Sequence, residues 1–138
     1  EVDMEVDPRS LLPRHRSDVE HVKALVDLGY PAIAPVLRDI AEWLQDGNWP
    51  ISRPIGRFLA SIGEPVLPTI REVLTGDDDV WKYWCIDLVM REMVPQIGEQ
   101  LRPELERIAY YPTPGERMEE VDVEARAALK QFEQGCSS

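Results

Sequence analysis

The sequence predicts an all-α fold, a short right-handed α-α superhelix of about seven helices paired as hairpins. Three observations predict it. The segment 28–79 repeats itself: Ala32-Ile33-Ala34-Pro35-Val36-Leu37-Arg38-Asp39-Ile40 aligns without a gap on Pro65-Val66-Leu67-Pro68-Thr69-Ile70-Arg71-Glu72-Val73, a shift of 33 residues. A weaker third copy, Leu101-Arg102-Pro103-Glu104-Leu105 with Ile108, falls 35 residues beyond the matching positions around Pro68. Between Gly and Pro breaks the apolar residues recur three and four apart, the period of a helix, and no alternating run reads as a convincing strand. A repeat of this size is a helical hairpin that hides its apolar face only by stacking on the next.

Each element follows from its local chemistry. Ser17 or Asp18 caps a first helix with Val22, Leu25 and Val26 inward, and Gly29 with Pro31 marks a stop and restart. A second helix is expected from about Ala32 to Gln45, with the stripe Ile33, Leu37, Ile40, Ala41 and Leu44, closed by Asp46-Gly47-Asn48. A third runs from about Pro50 to Ile62 on Ile55, Phe58, Leu59 and Ile62, leaving Arg53 and Arg57 on another face. Gly63 breaks the chain, and Pro65 stands where a first-turn proline lacks only an N–H that had no partner. The fourth helix buries Val66, Leu67, Ile70, Val73 and Leu74 and ends at Gly76; Pro35, Pro68 and Pro103 all fall within or just after a first turn.

Asp77-Asp78-Asp79 precedes a fifth helix, Val80 to about Met93, where carboxylates cap free N–H groups and meet the positive end of the helix dipole. Trp81, Trp84, Cys85 and Leu88 form one apolar stripe and Tyr83, Ile86, Met90 and Met93 a second, so this helix belongs in the middle of the stack, with Lys82, Asp87 and Arg91 as its wet strip. Pro95 and Gly98 separate it from a sixth helix carrying Leu101, Leu105, Ile108 and Ala109. Tyr110 to Gly115 reads as a loop, and Glu119 to Phe132 as a terminal helix through Val121, Ala125, Ala128, Leu129 and Phe132. The domain reading is a flexible leader over 1–10, a helical-repeat domain over 11–133 and a frayed tail over 134–138.

Composition bounds the function. Twenty-six acidic side chains against 15 basic ones give a formal charge of −11, which disfavours a phosphate backbone as ligand and favours cationic partners. No stretch of about 18 apolar residues is present to span a bilayer, so a cytoplasmic location is the expectation and no membrane partner is. Two cysteines, Cys85 on an apolar stripe and Cys136 in a polar tail, make no disulfide framework and read as free thiols.

Gly at the start of each second helix, a proline-leucine segment, then Asp in the turn before the next helix is similar to the pattern of HEAT-like repeats. Leu11-Leu12-Pro13 with Asp18, Trp43-Leu44-Gln45-Asp46-Gly47-Asn48-Trp49-Pro50 and Asp78-Asp79-Val80-Trp81-Lys82-Tyr83-Trp84 more specifically resemble the small bacterial family called domain of unknown function 5071, over roughly Ser10 to Phe132. The resemblance implies an all-helical HEAT-like fold and supplies no established activity. Some helical-repeat families of this size are immunity proteins encoded beside bacterial toxins, which brings that role within what the resemblance allows.

Asp46, Asn48 and Trp49 leave one repeat while Asp78, Trp81 and Lys82 occupy the equivalent place in the next, so adjacent turns are expected to display them along one edge. Aromatic anchors beside polar hooks are the residue types of binding hot spots, and these six are the candidate partner-binding residues. Against this stands a structural role: Trp as core, Asp46 and Asp78 as caps, and Asp78 with Lys82 as an i,i+4 pair. Catalysis has little support, because there is no Gly-x-Ser-x-Gly and no His near Cys85; His15 and His21, six apart, complete no zinc set and read as surface residues. Asp77-Asp78-Asp79 lacks the alternation and the distant Glu of an EF-hand, so no metal or cofactor is expected.

The leading expectation is a non-catalytic module that docks a basic protein partner such as a toxin and occludes it. The alternatives are a DNA glycosylase-like enzyme using Trp49, Trp81 and Asp78, and a self-associating architectural subunit.

Overall fold

The computed structural model describes residues 7–136, with side chains through residue 134. Among these residues every regular element is helical. The first turn, Pro8–Leu11, is a 3-10 turn capped by Asp7 and packs Leu11 against the core, inside the span expected to be a leader; residues 1–6 of that leader lie outside the described residues. Helix α1, Val19–Leu28, starts at Asp18, whose carboxylate accepts the His21 N–H, and stops at Gly29 with φ 72°. Asp18 also accepts the Arg14 N–H at 2.9 Å. That bond, opposed by burial and reinforced by His21, holds the carboxyl at about 2.

The second helix is divided: a 3-10 turn Ala34–Val36, helix α2 over Leu37–Ala41, and a 3-10 turn Glu42–Leu44. Its predicted stripe, Ile33, Leu37, Ile40, Ala41 and Leu44, is buried throughout. Helix α3, Ser52–Ile62, lets the Ser52 hydroxyl donate to the carbonyls of Trp43 and Asp46, at 2.8 and 2.7 Å, which ties the preceding turn to the start of the helix. A 3-10 turn Glu64–Val66 leads into α4, Leu67–Leu74, with Pro68 in its first turn. Helix α5 spans Asp79–Leu88 and ends five residues earlier than expected. A 3-10 turn Met90–Glu92 follows, and Met93 and Val94 are extended before Pro95, whose ring forbids a helical residue ahead of it.

A short helix α6, Pro95–Gly98, and a 3-10 turn Glu99–Leu101 precede α7, Arg102–Tyr110. The run Tyr110 to Gly115 is not a plain loop. Thr113 caps a helix α8, Pro114–Met118, with a reciprocal capping box in which Glu116 returns a bond to the Thr113 N–H. The last helix, α9, spans Val121–Cys136, and its apolar residues Val121, Ala125, Ala128, Leu129 and Phe132 are buried as predicted. The helix continues past Phe132 through the segment expected to fray, whose last residues, 137 and 138, lie outside the described residues.

Helices α1, α3, α5 and α9 touch in succession, as do α2, α4 and α7, and α2–α3, α4–α5 and α7–α9 join the two rows. The repeat leaves a second trace between rows of equivalent helices: Arg38 pairs with Glu72, and Arg71, its counterpart 33 residues on, pairs with Glu104 at 2.9 Å. Helices α3 and α5 approach so closely that a Cβ on Gly56 would sit 2.6 Å from the Leu88 carbonyl oxygen. Phe58 is buried and Trp84 half-buried, as helix stacking requires. Lys82 corrects the expectation of a wet strip: it is only 3% exposed. No helix among the described residues is long and apolar enough to cross a membrane.

Candidate functional site

The six residues singled out by sequence divide between local duties and open surface. Asp46 accepts the Asn48 N–H at 2.9 Å and shapes the turn that ends the second helix. Trp49 stands edge-on to Trp43, with ring centroids 5.6 Å apart, while Asn48 is exposed. Asp78 is exposed and caps α5 through the Trp81 N–H, and the Trp81 indole N–H donates to the Ala41 carbonyl at 3.0 Å, joining α5 to the end of α2. Asp78 and Trp81, with Arg38 and Glu72, line a hollow of about 270 Å³. Lys82 is not part of this edge. It turns inward, away from the i,i+4 partner Asp78, and pairs with Asp79 at 3.0 Å and Glu116 at 2.8 Å.

Glu116 is the centre of a buried ionic cluster that the sequence reading did not find. Its side chain is fully buried, yet Arg107 grips both oxygens, at 2.8 and 2.5 Å, Lys82 donates to one, and the Thr113 N–H donates to the other at 2.9 Å. Burial pushes the carboxyl upward, but these donors outweigh it and hold the group at about 2. On Lys82 burial pulls downward, and the bonds to Glu116 and Asp79 overcome it, so the ammonium is held above its ordinary value. A carboxylate with four donor contacts is compatible with burial where an isolated one is not. The cluster fastens α8 to α5 and α7, and thereby fixes the turn from α8 to α9.

That turn forms one side of a groove of about 300 Å³, lined by Val80, Tyr83 and Trp84 of α5 and by Met118, Glu119 and Glu120. Tyr83 and Trp84 meet edge to face, with centroids 4.9 Å apart. The back of the Trp84 ring lies on Gly47, where an added Cβ would stand 2.1 Å from the ring, so the Asp46–Trp49 turn buttresses the groove from behind. Glu120 has φ 61°, a left-handed conformation that costs a residue with a Cβ about 1–2 kcal/mol. Strain of this kind persists where surrounding contacts over-determine it and is found at functional surfaces.

The electrostatics are one-sided. The Tyr83 hydroxyl is pushed upward by burial and by the carboxylates of Glu124, Asp87 and Glu120, against the single opposing guanidinium of Arg91. Glu124 is itself raised, by burial first and Asp87 next, although Arg91 donates to it at 3.2 Å. Apolar surface collects nearby: Met118 is 79% and Tyr111 78% exposed, and Pro112, Pro114, Arg117 and Met118 border a second hollow of about 470 Å³. Cys85 offers no nucleophile, since complete burial pushes its thiol far above the usual range.

Residues 11–129 match the family described as domain of unknown function 5071. The chain belongs to that family. In this domain of unknown function 5071 chain the matched span takes in Lys82, Arg107, Glu116 and every residue lining the groove. No curated protein matches the chain. One signal for the missed site is present in the sequence: Thr113 and Glu116 stand at capping-box spacing. Nothing local announces that the same Glu is buried against Lys82 and Arg107, because those partners are 34 and nine residues away.

Proposed function

We propose that this chain is a non-catalytic bacterial protein-docking module, a cytoplasmic HEAT-like stack whose acidic surface takes a basic protein partner. An inhibitory or immunity role, in which the partner is a toxin occluded on this surface, is the specific form we favour. The observation that carries the reading is the concentration of exposed apolar side chains in one short segment: Tyr110, Tyr111, Met118 and Val123 are 60, 78, 79 and 52% exposed. They lie on a chain of net charge −11, beside the groove whose carboxylates outnumber its cations. A large exposed apolar patch on a charged protein marks an interaction surface, and an acidic setting favours and accelerates encounter with a cationic partner. The succession of helices in two rows supports a stacked-repeat scaffold, a type that works through extended surfaces.

The test is a tagged chain expressed in its source cell, chemically crosslinked, with recovered proteins then rebuilt as pairs from purified components. The product of the neighbouring gene is included as a candidate. A binary complex with a basic protein whose affinity falls as salt rises supports the reading. Failure of every recovered protein to re-form a complex, or a salt-independent complex with an acidic protein, overturns it.

A further inference from the structure

We propose that the groove between α5 and the α8–α9 turn receives an arginine or lysine side chain presented by a basic segment of the partner protein. This deepens the docking reading and rests on it. The groove combines the three things a long cationic side chain needs. Tyr83 and Trp84 supply aromatic surface, to which a guanidinium or ammonium is attracted through the ring quadrupole. Met118, 79% exposed, and Val80, 39% exposed, supply apolar surface for the methylene stem. Glu119 and Glu120 stand in the lining as acceptors for the charged head, and Glu120 is held there by a backbone in the left-handed region.

Size and charge both select this occupant. About 300 Å³ is at the lower end of small-molecule sites and suits one extended side chain. Around Tyr83 the nearby charges are Glu124, Asp87 and Glu120 against Arg91 alone, and Arg91 is already engaged by Glu124 at 3.2 Å, Gln131 at 3.1 Å and Asp87 at 3.7 Å. An incoming cation therefore meets unneutralised carboxylate, whereas a carboxylate or phosphate meets repulsion. Arginine is favoured over lysine, because its planar group stacks on a ring and engages a carboxylate through two parallel bonds.

The experiment titrates the full chain with a soluble alanine/arginine peptide, with an alanine/glutamate peptide of equal length as control, following tryptophan fluorescence and backbone amide shifts. The groove variant is Glu119→Lys with Glu120→Lys; the charge-matched control is Glu20→Lys with Asp27→Lys on α1, all four positions being exposed. Thermal melts confirm that both variants fold. The expected result is saturable binding of the arginine peptide alone, with shifts at Val80 to Trp84 and Met118 to Glu120, weakened about tenfold or more by the groove variant and less than about threefold by the control. Equal weakening by both variants, shifts elsewhere, binding of the acidic peptide, or no binding at all overturns the groove assignment. So does concentration-dependent sedimentation that the groove variant abolishes, which would make a second copy the occupant. A salt-sensitive partner complex that persists while the peptide fails removes this inference and leaves the docking reading standing.

Discussion

Replacing Glu116 by Gln removes the charge at the centre of the Lys82–Glu116–Arg107 cluster while keeping the shape of the side chain. The carboxyl is fully buried and sits at about 2 against an ordinary 4.5, a difference corresponding to about 3 kcal/mol of folding free energy. That is an upper value, because Arg107 is 44% exposed and partly screened by water. Breaking one partner out of a buried pair costs about 3–5 kcal/mol in general, so two routes agree on the size. For a chain of 138 residues the loss corresponds to a fall in Tm of roughly 10 °C at pH 7. The pH dependence has a definite sign. A carboxyl held below its unfolded value stabilises the fold above about pH 4.5 and loses that contribution as pH falls toward 2. The gap between the parent chain and Glu116→Gln, measured by urea unfolding followed with circular dichroism, is therefore level from pH 7 to about 5 and closes below that. Because the orphaned ammonium is part of the penalty, Glu116→Leu with Lys82→Met is less destabilised than Glu116→Leu alone. A gap under about 1 kcal/mol at pH 7, or one that widens as pH falls, refutes the assignment of Glu116 as a buried, charged tie.

Three further outcomes follow from packing and burial. Gly56→Ala forces a methyl against the Leu88 carbonyl and is expected to cost about 1–3 kcal/mol in urea unfolding; Gly47→Ala displaces only the Trp84 ring, costs less, and changes tryptophan emission. In a Cys136→Ser background the single thiol of Cys85 stays unreactive to a disulfide reagent until the chain unfolds, since it is fully buried with its thiol pushed far upward; rapid reaction in native buffer would contradict this. Asp18→Ala removes an N-cap and the acceptor of the Arg14 N–H, and a loss of about 1 kcal/mol is expected, with no loss counting against the capping role.

The helices were legible because their apolar residues recur at helical spacing and must be buried: Ile33, Leu37, Ile40 and Leu44, or Leu105 and Ile108, are all in the core. Pro35, Pro68 and Pro103 read correctly as first-turn residues because their chemistry is local. Where interpretation failed, the deciding partner was distant or the rule was applied too coarsely. Lys82 looked like a solvent-facing residue on an apolar helix, and only Glu116, 34 residues away, makes its burial tolerable. Two prolines and a glycine suggested a loop from Tyr110 to Gly115, although Thr113, Pro114 and Glu116 are a helix start in which proline is welcome. The groove was invisible for the same reason: Tyr83 and Trp84 were read as stripes of a covered helix, and the turn that completes their surroundings is more than thirty residues further along the chain.

Amide hydrogen exchange on the rebuilt partner complex tests most directly whether this chain works through the surface described. Protection confined to Val80–Trp84 and to the segment from Pro112 to Val123 is the result expected. Protection that falls instead on α1 and α2, with the groove exchanging as in the free chain, would contradict the account.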